Sequence, residues 1–528
     1  MKNKIFKNIA LAFAFSAAMA SCTKKLDLTP TNATTSADVY ANAAGYKQSI
    51  AKVYSTFAVT GGGGAGSSDI AGIDAGTSDF WRLFWKAQEL STDEAVVAWG
   101  DPGIQDFHLM NWGSTNPMLT GLYYRSLFQI TLANDFIRQS SDAKLAERGI
   151  SGTDAENIKK YAAEARFLRA YQYWVLMDLF GNPPFTTDAD VVGASLPKQI
   201  GKTALFNYIE SELKTIEPMV ASAKTNEYGR VDRAAVQALL ARLYLNAKTY
   251  TGTAKNADAV IYSKRVIDAG YSLINDYTQL MLADNNTNTS ENIFTINYDG
   301  KNTQTYGGTT FMTHASVGGS MAASDYGING GWFGLRTTSS IINLYVDLTF
   351  NSDKRAMFYR NGQNLEISSL STFGDGYTVT KFKNVSKTGV AGTDPTFCDI
   401  DMPIFRIAEM YLVYGEATAR GGGGDASLAL AYVNKLRERA YGNTSGNITS
   451  SDANNIDFYL DERARELFWE GFRRTDLIRY SKFTTGSYLW PWKGGAKTGA
   501  SVADFRNTYP IPDKDLASNP YLKQNTGY

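Results

Sequence analysis

The sequence predicts a mostly α fold of stacked helical hairpins supporting an irregular, loop-rich half with few short strands. Three observations carry that expectation. Apolar residues recur at i, i+3, i+4 and i+7 in several long segments. From about 293 to 396 the chain is instead dominated by Gly, Thr, Asn and Ser. Finally, 31 Tyr, 27 Phe and 9 Trp give a surplus of rings; many must be core, but such a surplus also suits flat apolar ligands such as sugar faces.

The elements follow in order. Lys2, Lys4 and Lys7 precede an apolar run from Ile9 to Ala20 that is broken only by Ser16. The run is far shorter than the roughly 18–20 residues needed to span a bilayer, so residues 1–21 are expected to be an export signal. It ends in Met19-Ala20-Ser21-Cys22, small residues before a cysteine, as in the lipobox of bacterial lipoproteins. Cys22 is therefore expected to be lipidated and to anchor the mature protein to a membrane, against the plainer alternative of an ordinary signal with a chance cysteine. Lipidation would leave Cys398 alone. Residues 22–37 are polar, with Pro30 and several Thr, and read as a tether.

Residues 38–528 then read as a single domain. Its helical scaffold is expected over about 118–270 and 404–481, and its loop-rich binding region over about 58–117 and 293–396. Met118 to Arg138, Asp154 to Leu179, Thr203 to Ala223 and Asp232 to Lys248 are predicted helices. Phe167, Ala170, Tyr171 and Trp174 line one face of the second; Val236, Leu239, Leu240 and Leu243 line one face of the fourth. Gly181-Asn182-Pro183-Pro184 stops a helix. Ile293 to Tyr298 and Tyr377 to Phe382 are predicted short strands, and helices return at Ile404 to Arg420, Asp425 to Tyr441 and Asn455 to Ser481. No strict repeat period is visible.

Composition excludes several functions. The chain is 44% hydrophobic and 20% charged, which permits a large core. Lys+Arg and Asp+Glu both number 52, and a chain with no basic excess is a poor partner for nucleic acid. Two His and two Cys argue against zinc enzymes, iron–sulfur clusters and a disulfide framework. Gly201-Lys202-Thr203 lacks the earlier glycine of a phosphate loop, since position 196 is Leu196. The Gly61-Gly62-Gly63-Gly64-Ala65-Gly66 run is followed by Ser67-Ser68-Asp69 and reads as a flexible loop. His108 and His314 are isolated, which favours core or surface roles. Asp284-Asn285-Asn286 with Asn288 is an oxygen-rich loop that could hold Ca²⁺, a solvated turn being the plainer reading.

Glu462, Glu466 and Glu470 fall four apart on one predicted helix, with Arg465, Arg473, Arg474, Asp476 and Arg479 nearby. Paired acids could serve a glycosidase. Their i, i+4 spacing to arginines, as from Glu470 to Arg474, and the apolar stripe Leu460, Ala464, Leu467 and Gly471 favour a structural ion-pair lattice.

The segment from Asp461 to Arg479, Asp-Glu-Arg-Ala-Arg-Glu-Leu-Phe-Trp-Glu-Gly-Phe-Arg-Arg-Thr-Asp-Leu-Ile-Arg, resembles the most characteristic motif of the SusD-like (RagB/SusD) family of surface glycan-binding lipoproteins. Glu164 to Ala170, Met402 to Leu412, Tyr509-Pro510-Ile511-Pro512 and Asn519 to Tyr528 resemble further family blocks. Phe483-Thr484-Thr485, Tyr488-Leu489-Trp490, Trp492 to Ala496, Ser501-Val502-Ala503, Glu89 to Glu94 and Tyr306-Gly307-Gly308 are similar to the family's starch-binding founder. The resemblance implies about four tetratricopeptide-like hairpins and no catalysis. It also implies an outer-membrane, lipid-anchored position facing the exterior, with a SusC-type TonB-dependent transporter as partner. The implied ligand is starch or another α-glucan, as maltooligosaccharides. A different glycan is the nearest alternative; a glycosidase using Glu466 and Glu470 is a more distant one.

By the same resemblance, Trp99, Tyr306 and Trp332 would form an arc of rings that stacks on successive glucoses. Asp74 and Arg82 would supply polar contacts. One tryptophan of the founder's arc falls on Val97 here, and its asparagine falls near Asp101 or Pro102. Trp81 and Trp85, a helical turn apart, are expected to be able to compensate.

Overall fold

The computed structural model describes residues 36–191, 193–347 and 352–528. The expected export signal, Cys22 and nearly all of the tether lie outside these residues. No described helix is long and apolar enough to cross a membrane.

The scaffold is helical, as expected. After α1 (Ala43–Ser55) and α2 (Phe80–Glu89) come α3 (Pro117–Gln139), α4 (Gly152–Phe180), α5 (Lys202–Ile216), α6 (Arg233–Leu245) and α7 (Asn256–Asp268). A loop-rich excursion carrying α8 (Gly308–Ser316) separates these from α9 (Ile407–Ala419), α10 (Ala426–Tyr441), α11 (Ile456–Glu466) and α12 (Arg473–Arg479). The helices pack as a ladder: α3 on α4, α4 on α5, α6 on α7, α7 on α9 and α9 on α10. The caps are written in the sequence. Asn116 accepts the Met118 and Leu119 N–H groups ahead of Pro117, and Asp232 accepts the Ala235 N–H. Gly181, at φ +74°, ends α4. The periodic residues Phe167, Ala170, Tyr171, Trp174, Val236, Leu239, Leu240 and Leu243 are all buried, so one ladder face makes the core.

Several boundaries differ from the sequence expectation. The helix expected from Thr203 ends at Ile216, just ahead of Pro218. The one expected from Asp232 to Lys248 breaks at Asn246, whose amide donates to the Arg242 carbonyl at 2.9 Å. The helix expected from Ile404 begins at Ile407. Met402–Arg406 is instead a buried strand, paired antiparallel with Asn292–Ile296; Pro403 biases Met402 toward extended backbone. The predicted strand Tyr377 to Phe382 shrinks to Thr378–Val379.

One further difference matters most. The helix expected from Asn455 to Ser481 is split into α11 and α12 by a turn, with Trp469 at φ +61° and Gly471 at φ +82°. Buried carboxylates capture the N–H groups this turn frees. Glu94 accepts from Trp469 at 2.9 Å, and Glu89 accepts from Gly471 and Phe472 at 2.7 and 3.0 Å. Burial pushes both carboxyls up from their ordinary values.

The turn also swings Glu470 off the line of Glu462 and Glu466. The three acids do form a buried ion lattice, but Glu470 pairs with Lys381 at 2.6 Å and with Arg406 at 2.7 Å rather than with Arg474. Glu466 joins Arg406 at 2.7 Å and pairs with Arg439, which also holds Glu291 at 2.8 Å. Glu462 takes Arg355 and Arg437, each at 2.7 Å, and Arg465 at 2.8 Å. Beside this lattice, Glu416 binds Arg479 and Arg420, each at 2.8 Å.

Burial opposes ionisation of Glu416, but the guanidiniums of Arg479 and Arg420 outweigh it and hold the carboxyl down at about 2. A depressed carboxyl stabilises the fold above its unfolded value and loses that contribution as pH falls through the folded one. Glu416→Gln should therefore cost about 3 kcal/mol at pH 7, since it leaves the buried Arg479 guanidinium and the partly buried Arg420 short of a partner. The gap in thermal midpoint between wild type and variant should narrow from about pH 4.5 downward and close near pH 2. A gap that does not change with pH would refute the charge assignment.

Candidate functional site

The site is built where two loop-rich segments meet. Val96–Val97 pairs antiparallel with Leu335–Arg336, and the ladder continues through the Ala98 N–H to the Gly334 carbonyl at 2.9 Å. This pairing brings Trp99, just beyond one strand, against Trp332, just before the other. The Trp99 indole N–H donates to the Trp332 carbonyl at 2.9 Å. Gly334 permits the close approach, because a Cβ there would lie 2.4 Å from Cζ2 of Trp99.

A second tie brings in Tyr306. Asp79 caps α2 by accepting the Arg82 N–H at 2.9 Å, and the same oxygen accepts the Gly308 N–H at 2.8 Å. The starts of α2 and α8 are thus held together, and Tyr306 precedes α8 by two residues. Burial pushes the Asp79 carboxyl up to about 6.

Three of the expected residues form a stepped row. Tyr306 and Trp332 have ring centroids 6.5 Å apart and planes inclined by 47°; Trp332 and Trp99 are 6.4 Å apart and inclined by 48°. Tyr306 is 41% exposed, and both tryptophans are half-buried. Arg82 lies among them. Its Nη1 donates to the Tyr306 carbonyl at 2.9 Å, and its guanidinium sits 4.8 Å from the Phe311 ring, 5.8 Å from Trp99 and 6.0 Å from Trp332. Burial lowers its pKa to about 10, partly offset by the charges of Asp79, Asp74 and Asp101, so it stays cationic at neutral pH. Its Nε has no protein partner. Asp74 is exposed and accepts the Thr77 N–H at 3.0 Å; Asp101 is exposed too, close enough for its charge to act on Arg82. All six expected residues therefore belong to one neighbourhood.

The expectation for Trp81 and Trp85 needs correcting. Trp81 and Trp85 cannot compensate for Val97, because both are buried and Trp85 donates to the Trp469 carbonyl at 3.2 Å. They point inward because α2 turns Arg82 alone of these three toward the site. Val97 is itself fully buried in the strand pair. In the oxygen-rich loop, Asn285 is buried and spends its amide on the Leu280 and Asp401 carbonyls and its oxygen on the Asp401 N–H. Asn288 bonds the Gln279 carbonyl. Among the described residues no cluster of three or more His, Cys, Asp or Glu could hold a metal. Glu466 and Glu470 are sealed in the ion lattice, out of reach of a sugar.

Sequence reasoning missed three supports. Phe311 underlies Arg82. His314, set aside as isolated, stacks on Trp332 at 4.8 Å and 24°, and its Nδ1 pairs with the Gly330 carbonyl at 2.6 Å. Phe397 flanks Tyr306 at 5.2 Å. Only the folded loops bring these together; nothing in their spacing marks them. A separate recess of about 290 Å³, beside Tyr54, Tyr161 and Tyr228, lies at α1 and does not include this site.

A row of inclined rings beside a partly buried cation, carried on a helical ladder, suits a ligand with flat apolar faces edged by hydroxyls, as a sugar has. The comparisons agree. The family model described as "SusD family" matches residues 347–528. The starch-binding protein SusD of Bacteroides thetaiotaomicron is 32% identical over 579 aligned positions that cover all of both chains. SusD-like protein P2 of Formosa agariphila is 26% identical over 86% of this chain and 90% of its own. Among solved structures, a SusD homolog of B. thetaiotaomicron matches with a TM-score of 0.73 at 18% identity, over 94% of this chain and 99% of its own. Surface glycan-binding protein A of the same species, in complex with laminarihexaose, matches with a TM-score of 0.68 at 20% identity over 91% and 98%. The chain belongs to the SusD family.

Because the Gly334 position is filled by an indole rather than a flexible chain end, Gly334→Ala should push Trp99 out of line while leaving the helical ladder intact. Near-ultraviolet circular dichroism should change and far-ultraviolet should not. An unaltered tryptophan signature would mean that the ring relocates freely and that the row is not locked.

Proposed function

We propose that the protein binds starch-like α-glucan at the row Tyr306–Trp332–Trp99 and hands it to a SusC-type TonB-dependent transporter, held at the outer face of the outer membrane through lipidated Cys22. The observation that carries the ligand reading is the equal stepping of the three rings. A helical α-glucan presents a curved ribbon of C–H faces, and rings inclined in succession match a curved ribbon better than a flat one. Arg82, its Nη1 fixed on the Tyr306 carbonyl, brings a guanidinium charge to the rings, and the exposed Asp74 and Asp101 are placed to accept from sugar hydroxyls. Contacts of this kind are shallow and wet, so shape rather than any one bond supplies selectivity. The 32% identity to a starch-binding protein supports the same ligand. The transporter and the anchor rest on family resemblance and on the Met19-Ala20-Ser21-Cys22 sequence.

Calorimetric titration of maltoheptaose into residues 23–528 should show binding, and Trp332→Ala should weaken it by about tenfold or more, the loss of a central ring. Laminarihexaose, titrated in parallel, should bind more weakly. Equal or tighter binding of laminarihexaose would transfer the site to a β-linked glucan, and an unchanged Trp332→Ala variant would refute the row as the site.

A further inference from the structure

We propose that Phe333 and Phe373 form a second aromatic platform that extends the glucan site sideways from the Trp332–Trp99 step. The proposal rests on the α-glucan reading given above. Phe333 is 51% exposed and has φ +53°. A bulky side chain in this left-handed region costs on the order of 1 kcal/mol, and such strain persists only where the surroundings enforce it. Here they do. The Trp332 N–H donates to the His314 carbonyl at 2.7 Å, Phe333 to Val317 at 3.1 Å and Gly334 to Ala315 at 2.9 Å.

The strain has a geometric consequence. In extended chain, the side chain between Trp332 and Gly334 would point to the opposite side from both. The left-handed residue breaks that alternation and turns the ring outward. There it meets Phe373, with centroids 5.4 Å apart and planes at 60°. Both rings close over bare backbone, because a Cβ on Gly318 would lie 2.7 Å from Phe333 Cδ1 and from Phe373 Cε1. Near Gly318 in the chain, Ser320 bonds the Tyr359 hydroxyl at 2.9 Å on an exposed rim. The result is a ring pair edged by hydroxyls, again rings beside polar groups as in the first platform. Trp332 is the middle ring of the row, and Phe333 lies between it and Gly334, against which Trp99 packs, so the ring pair flanks the Trp332–Trp99 step, where only a longer glucan reaches it.

The expected signature is selectivity for length. Maltotriose and maltoheptaose are titrated into wild type, Phe333→Gly, Phe373→Ala and Trp332→Ala. Phe333→Gly and Phe373→Ala should each weaken maltoheptaose by about three- to tenfold, the range of one aromatic contact, and leave maltotriose within about twofold. Phe333→Gly should melt no lower than wild type, because glycine adopts this φ freely. Equal weakening of both oligosaccharides, or no weakening while Trp332→Ala loses binding, overturns the platform and leaves the row standing. A clear fall in the melting point of Phe333→Gly makes the ring a structural group and also overturns it. Wild type that binds neither oligosaccharide, or binding that survives Trp332→Ala, removes the row and the platform together.

Discussion

The structure depends on a set of buried charges that must be satisfied together. Arg406 meets Glu291, Glu466 and Glu470 within 3.0 Å, and all four are buried. A lone buried ion is strongly disfavoured, whereas a network in which every member has partners is tolerated. The partners come from far apart in the chain: the strand Met402–Arg406, the turn after α11, the end of the loop before Asn292, and α10 through Arg439. No one of these segments can settle without the others. Arg473 and Asp93 extend the same logic toward the site, with two contacts of 2.7 Å between them.

This hub positions the aromatic row through α2. At the C-terminal end of the helix, Glu89 is fixed to the turn at Gly471 and Phe472, and Trp85 packs on Trp469 at 5.1 Å. At the N-terminal end, Arg82 emerges among Trp99, Trp332 and Tyr306. The segment after α2 carries Asp93 and Glu94, both tied to the hub, and then runs through Val96–Val97 to Trp99. Arg82 and Trp99 therefore hang from one short, clamped unit. Tyr306 and Trp332 come from the loop-rich excursion, which meets this unit through the Val96–Val97 pairing and the Asp79–Gly308 bond. Preorganisation of this kind reduces the ordering cost that a shallow site would otherwise meet on binding.

What could be read from the sequence divides along the same physical line. Helices whose apolar residues repeat at 3.6 are local objects, and their positions were evident from Phe167 to Trp174 and from Val236 to Leu243. The break at Trp469–Gly471 was not, because every residue from Ile456 to Arg479 except Gly471 is compatible with helix. The competing force is long-range: the carboxylates of Glu89 and Glu94, nearly four hundred positions away, take the N–H groups. Tertiary demand overrode local propensity. The same distance hid the inward turn of Trp81 and Trp85 and the supports Phe311, His314 and Phe397. The six candidate site residues came from resemblance to a family, and their meeting in one place owes nothing to periodicity.

The row and the lattice also explain how one scaffold can keep its shape while its ligand varies. The lattice is closed to solvent and over-determined, so substitution there acts on stability. The row sits on loops tied together by the Val96–Val97 pairing and the Asp79–Gly308 bond. Around those ties, exposed residues such as Asp101 and Phe333 can change without disturbing a buried ion pair. On the proposed reading, selectivity follows from which rings the two loop segments present and at what tilt, while the buried arginines and glutamates keep those segments facing each other.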